Sequence, residues 1–200
     1  MCTEELDEII LDGNKVEIVH DFNFVGSRID DNGTCKGEIV RRLALGRAAV
    51  TGLNKIWKDK AISIITKSQL MRVLVFPVVL YGSESWTITK GTRERIDSFE
   101  LWCWRRLLRV PSLDCIQNEH LDYGTIKPSL PLEAQLLRQQ LNFLSYHASG
   151  RLPGKKSIMV GMGDGSRKSG RPRARWMDGV KQETGLTLDG LRGATRSRKD

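Results

Sequence analysis

RERIDSFELWCWRRLLRV, residues Arg93 to Val110, decides how the rest of the chain is read. It holds no Pro or Gly, so nothing in it interrupts a helix. Glu94, Asp97 and Glu100 fall in its first half, and Arg105, Arg106 and Arg109 in its second. A helix macrodipole favours that order, negative at the start and positive at the end. At about 100° per residue, Ile96, Phe99, Cys103, Leu107 and Val110 share one side of the wheel. This is a core-facing stripe, which Trp104 and Leu108 widen. Arg95, Arg105, Arg106 and Arg109 take the remaining face, with Trp102 set among them. Two readings fit that face. Guanidinium groups around an indole can hold phosphates and stack on bases. A solvated helix face with Trp102 buried against a neighbour fits the same wheel.

Working outward, Ile39, Leu43, Gly46, Val50, Leu53 and Trp57 recur every three or four residues and predict one helix over Gly37–Trp57. Thr34 is its expected N-cap, with the helix starting near Lys36. Arg41, Arg42 and Arg47 fall off its stripe. A further helix is expected from Ser63 until Pro77 kinks or stops it. VLVFPVVLY (73–81) is apolar on every side and predicts the most buried segment, with Gly82 breaking the chain after it. Leu132–His147 carries a stripe of Leu136, Leu137, Gln140, Leu141 and Leu144. Helices of this length on short connections predict a bundle.

Towards the N-terminus, Asp12-Gly13-Asn14 between Glu8–Leu11 and Lys15–His20 reads as a β-hairpin. It cannot form a stable sheet alone, so it should lie on the helices or at the margin of something larger. Towards the C-terminus, Gly150–Gly170 reads as a flexible linker. Weak short helices follow over Trp176–Thr184 and Leu188–Thr195, with Gly185 ending the first. The expected fold is mainly α: an N-terminal hairpin (1–33), a helical bundle (34–149), and a basic, partly disordered tail with short helices (150–200).

The net charge of +8 is uneven. Residues 151–200 hold 13 Lys/Arg against 5 Asp/Glu, which leaves 19 of each for residues 1–150 out of totals of 32 and 24. A neutral body with a cationic tail suits a polyanionic partner. The four cysteines, Cys2, Cys35, Cys103 and Cys115, form no CxxC or Cys/His cluster, which points to a reducing compartment, no disulfide framework and no zinc site. MCTEELDE is acidic, unlike a secretory or transit leader, and no apolar run is long enough to span a bilayer. An intracellular protein, nuclear or cytoplasmic, with no membrane association is expected.

Five blocks, FNFVGSRI, EIVRRLALGRAAVTGLNKIW, TKSQLMRVLVFPVVLYGSESWTI, IDSFELWCWRRLLRV and GRPRARWMDGVKQETGLTLDGL, run in this order over roughly residues 9 to 196. Their order and spacing resemble the end of the reverse transcriptase of non-LTR (LINE-type, RTE-like) retrotransposons. The resemblance implies that Phe24-Val25-Gly26 corresponds to the primer-grip block, with Val25 in place of the usual Leu. It also implies that the helices after this block correspond to the thumb, which holds the template–primer duplex. The family's polymerase centre lies upstream of the grip, and this sequence starts just before it. The resemblance therefore implies a segment without the catalytic aspartates, which would hold two Mg²⁺, and without the endonuclease. The family's Trp after the arginine helix is missing from PSLDC (111–115), and the tail stops near Arg198, before the expected aromatic. A truncated or decaying copy, or a host gene made from one, is the origin these departures imply.

The remaining motifs carry little chemistry. Asp30-Asp31 follows the grip and sits at a Gly turn, so it reads as a turn. His20, His120 and His147 have no Cys or carboxylate partner at ligand spacing. Ser83-Glu84-Ser85 lacks a nucleophile elbow, and GMGDG (161–165) lacks the strand and GK(S/T) of a phosphate loop. Ser169–Trp176 contains Gly-Arg-Pro, as an AT-hook does, but Ser169 stands where that motif has Arg, and the retroelement tail accounts for the string. The expected function is a non-catalytic, nucleic-acid-binding remnant of a reverse transcriptase thumb. Trp102, Arg105, Arg106, Arg109, Arg171, Arg173 and Arg175 would contact RNA or DNA. No cofactor, metal or small-molecule substrate is expected. The alternatives are a helical protein–protein module, with Trp102 and Trp104 burying a partner helix, and a translated fragment with no function.

Overall fold

A computed structural model describes residues 10–109, 130–148, 175–187, 190–191 and 193. The fold is mainly α, with short hairpins at the N-terminus followed by helices. Strands β1 (Ile10–Leu11) and β2 (Asn14–Lys15) pair antiparallel around Asp12-Gly13. Both turn residues have positive φ, 50° and 78°, as a tight hairpin turn requires.

A second hairpin, which the sequence reading missed, joins β3 (Asp21–Phe24) to β4 (Ser27–Asp30) in the register Asp21↔Asp30 to Phe24↔Ser27. Its turn is Val25-Gly26. No Asn-Gly or Asp-Gly marks it, and Val25 adopts φ 48°, a conformation a β-branched residue rarely takes. Phe22, Phe24, Val25 and Ile29 are all exposed. Apolar burial therefore does not hold this hairpin to the helices; polar contacts at its turn do.

Helix α1 spans Lys36–Gly52 and α2 spans Asn54–Lys58. The predicted single helix breaks at Leu53, yet Trp57 stays buried and donates its indole N–H to the Val50 carbonyl at 2.7 Å. The N-cap is Cys35 rather than Thr34, and no side chain caps it. Gly46 lies on the buried stripe where α1 crosses its neighbours. A Cβ there would stand 2.4 Å from Val79 and 2.8 Å from Phe99.

Ser63 caps α3 (Ile64–Leu70), its hydroxyl accepting from the Thr66 N–H at 3.1 Å. A π-helical turn (Met71–Val75) leads into α4 (Phe76–Leu80). Pro77 therefore neither stops the helix nor follows regular turns, because the wide turn before it accommodates the missing donor and the ring. Val75, Phe76, Val79 and Leu80 are buried, but Val73 and Leu74 face outward. This corrects the expectation that the whole apolar run is sealed.

Gly82 (φ 73°) turns the chain into a 3₁₀ turn (Ser83–Ser85) before α5 (Lys90–Leu108). Thr89 and Thr92 cap α5 reciprocally, and Arg109 ends it in the left-handed region at φ 59°. Ile96, Phe99, Cys103, Trp104 and Leu107 meet Ile39, Leu43 and Val50 of α1 and the α4 side chains in one core, which Leu132 and Leu136 of α6 (Leu132–Ala148) complete. Helix α7 (Trp176–Thr184) packs on α6 through Leu144, Met177, Val180 and Leu191. Trp176 donates to the Glu84 carbonyl at 2.8 Å. Arg93 of α5 pairs with Glu133 of α6 at 2.7 Å and with Glu183 of α7.

Candidate nucleic-acid interface

The stripe of α5 is buried, which turns its arginine edge towards α1 and α2. Trp102 is half-buried against the core, its ring 6.1 Å from that of Phe99. The Arg106 guanidinium lies over the indole, 5.7 Å from its centroid, and donates to Asn54 Oδ1 at 3.5 Å. A ligand approaching here meets the stacked pair rather than a bare indole. Arg105 is half-buried beside it.

Arg109 has structural duties. It donates to the Trp57 carbonyl at 3.2 Å and to the Lys58 carbonyl, at the C-terminal end of α2. Buried Lys67 reaches the Trp57 carbonyl at 3.1 Å and the Asp59 carbonyl from the other side. The last carbonyls of a helix lack intrahelical partners and carry negative partial charge, so two cations satisfy them here. Arg109 is thus a helix cap that also adds positive charge to the surface.

Docking α2 on α5 brings in cations that the sequence reading did not select. Lys55 and Lys58 are exposed on α2, beside the Arg106 and Arg109 contacts. Arg47 is exposed on α1 and close enough to Cys103 for its charge to act on the thiol. Burial dominates at Cys103 and pushes its thiol far above the ordinary range, so it is no nucleophile. Arg106 donates to an amide and Arg109 to backbone carbonyls, so no carboxylate neutralises them in those contacts. The sequence signal for Lys55 and Lys58 was present in NKIWK, but the contacts of Arg106 and Arg109 with α2 appear only in the fold.

The primer-grip-like residues sit at the β3–β4 turn, bound to α1 and the residue after α4. The Gly26 carbonyl accepts from Arg41 at 2.7 Å and from Arg42. The Val25 carbonyl accepts from the Tyr81 hydroxyl at 2.8 Å. Arg42 stacks on the Tyr81 ring, 4.4 Å from its centroid. Glu38, only 4% exposed, accepts from Arg41, from Arg42 and from the Arg28 backbone N–H at 3.0 Å. Burial pushes the Glu38 carboxyl up, but these donors outweigh it and hold it below its ordinary value. Arg42 is accordingly buried with Glu38, although its position off the apolar stripe suggested a surface residue.

Asp30 ends β4, and Asp31 begins the turn after it. Asp30 accepts from the Asn32 N–H at 2.8 Å. Asp31 pairs with His20 at 2.9 Å, which corrects the reading of His20 as isolated and raises its pKa through that hydrogen bond and charge. Among the described residues, no three His, Cys, Asp or Glu side chains are grouped to hold a metal ion. Arg175 is exposed at the N-terminus of α7, while Arg171 and Arg173, His120 and the glycine cluster at 161–165 lie outside the described residues. Among the described helices, none is long and apolar enough to cross a membrane.

No protein-family model matches the chain, and no solved structure matches it. Over 179 residues the chain is 25% identical to a putative uncharacterized transposon-derived protein of Caenorhabditis elegans. The match covers 84% of this chain and 62% of that protein. The chain therefore spans less than two thirds of this transposon-derived relative's length.

Proposed function

We propose that this chain binds RNA or DNA without catalysing a reaction on it, as a thumb-like piece derived from a retrotransposon reverse transcriptase. The observation that carries the reading is the Arg106 guanidinium stacked on the half-buried Trp102 and bonded to Asn54 of α2, with Arg109 on the end of the same helix and exposed Lys55 and Lys58 next to those contacts in the chain. Cations spaced along helix ends neutralise successive phosphates, and a guanidinium stacked on an indole offers a flat surface to a base. The likeness to a transposon-derived protein supports a transposon origin. Arg171, Arg173 and Arg175 would add affinity without regard to sequence.

The rival protein–protein reading called for two indoles on a partner, Trp102 and Trp104. Trp104 is 2% exposed, packed edge-on against Phe76 at 5.6 Å, and bonded to Glu100 at 3.2 Å. It has no surface to give a partner. The test is retention of labelled duplex and single-stranded oligonucleotides by the full chain and by its R47Q/K55Q/K58Q variant. These three side chains are exposed, so the variant should fold. It should lose roughly tenfold or more in affinity at low salt. Unchanged retention would remove this face from the account. Arg109 is the wrong residue for the test, because its loss also uncaps α2.

A further inference from the structure

A second candidate site is lined by residues that the Trp102 face does not use. It is an open cleft of about 410 Å³ between the π-helical turn, the end of α4 and the first half of α6. Arg72 enters it from the π-helical turn and Arg138 from α6. Among the described residues that line it there is no carboxylate. A π-turn inside an α-helix costs regular hydrogen bonding and is frequent where a helix serves a ligand. Here it places Arg72 at the cleft.

The cleft also holds two amides, each fixed by a second partner. Gln135 donates its Nε2 to the Leu130 carbonyl at 3.1 Å, which leaves its side-chain oxygen as an acceptor. Gln139 accepts through Oε1 from the fully buried Ser83 hydroxyl, which leaves its NH₂ as a donor. Both Gln135 and Gln139 line the cleft, with Asn142 at its exposed side and Leu80 at its buried one. A fixed acceptor beside a fixed donor matches the edge of a nucleobase, as glutamine does in reading adenine. Two guanidinium groups match a phosphate. Inorganic phosphate would use only the second pair of groups, and an acidic peptide has no base edge for the first.

We propose that this cleft binds a nucleoside phosphate, with Arg72 and Arg138 on the phosphate and Gln135 and Gln139 on the base edge. The same unit could come from a free nucleotide or from one residue of a single strand. It goes beyond the Trp102 face and does not depend on it.

The experiment is a titration of the full, isotopically labelled chain with AMP, UMP, inorganic phosphate, a short single-stranded oligonucleotide and an acidic peptide, followed by amide NMR. A mononucleotide should shift the Gln135, Gln139 and Asn142 resonances and bind about tenfold more tightly than phosphate. Saturation by mononucleotides identifies a free ligand, whereas an oligonucleotide that shifts the same Gln135 and Gln139 resonances and still binds much more tightly in R47Q/K55Q/K58Q identifies a strand. R138Q alters an exposed side chain and should weaken mononucleotide binding about fivefold or more, while N142K should strengthen it. R47Q/K55Q/K58Q should leave it unchanged, so the Trp102 face can fail while the cleft stands. Phosphate binding as tightly as AMP, the peptide competing equally, R138Q having no effect, or no shifts at all would each overturn the proposal.

Discussion

Val25 adopts φ 48° with its side chain 70% exposed, so the strained backbone gains no packing in return. What holds it are the Tyr81 hydroxyl on its own carbonyl and the Arg41 and Arg42 guanidiniums on the next. Asn tolerates this region far better than Val. Val25→Asn should therefore raise stability by about 1 kcal/mol in denaturant unfolding; a loss would mean that the valine side chain has a contact of its own. Glu38 sits beneath the same turn. Its pKa is lowered in the folded state, so its contribution is full above the ordinary carboxylate pKa and is lost as pH falls through the folded value. Stability should decline on acidification through that window, and Glu38→Gln should flatten the decline. An equal decline in the variant would place the acid sensitivity elsewhere. The pairing of Glu38 with Arg41 and Arg42 was legible as three- and four-residue spacing. Tyr81, 56 residues from Val25, was not, because nothing local links them.

At the scale of elements, the helices that carry a regular apolar stripe were legible, and the irregular joints were not. α5 and α6 appear within a few residues of their expected ends, and Ser63, Gly82 and Gly185 act as cap or breaker. The β3–β4 hairpin was missed because Val-Gly is a poor turn signal and tertiary hydrogen bonds override it. The Leu53 break and the π-turn were missed because apolar periodicity continues across both. Gly46 is the informative residue of α1. An alanine there gains about 1 kcal/mol of helix propensity. It also forces a methyl into Val79 and Phe99, and overpacking of that kind costs about 1–3 kcal/mol. Gly46→Ala should thus lower the thermal midpoint, whereas Gly52→Ala, with nothing within 4 Å, should not. Equal behaviour of the two would mean that α1 and α5 pack more loosely than described.

Taken whole, the molecule uses some cations to hold its fold, Arg42 on Glu38 and Lys67 and Arg109 on the end of α2, and leaves others on its surface. The sequence excess of positive charge lies in residues 151–200, yet the candidate interface is in the body, where Arg106 and Arg109 of α5 meet α2. Arg105, Arg106 and Trp102 were legible on one helical wheel. Lys55, Lys58 and Arg47 needed the packing of α2 and α1 on α5. The β3–β4 hairpin differs in character, since it exposes Phe22, Phe24 and Ile29.

The central claim is that a polyanion is held by this cationic face, and its most direct measurement is the salt dependence of oligonucleotide binding. The logarithm of the affinity should fall linearly with the logarithm of salt concentration, by about 0.9 per phosphate neutralised on duplex DNA. A slope of about −3 or steeper is expected for the unaltered chain, and one shallower by about 2 to 3 for R47Q/K55Q/K58Q. A slope near zero, or the same slope in both proteins, would contradict it.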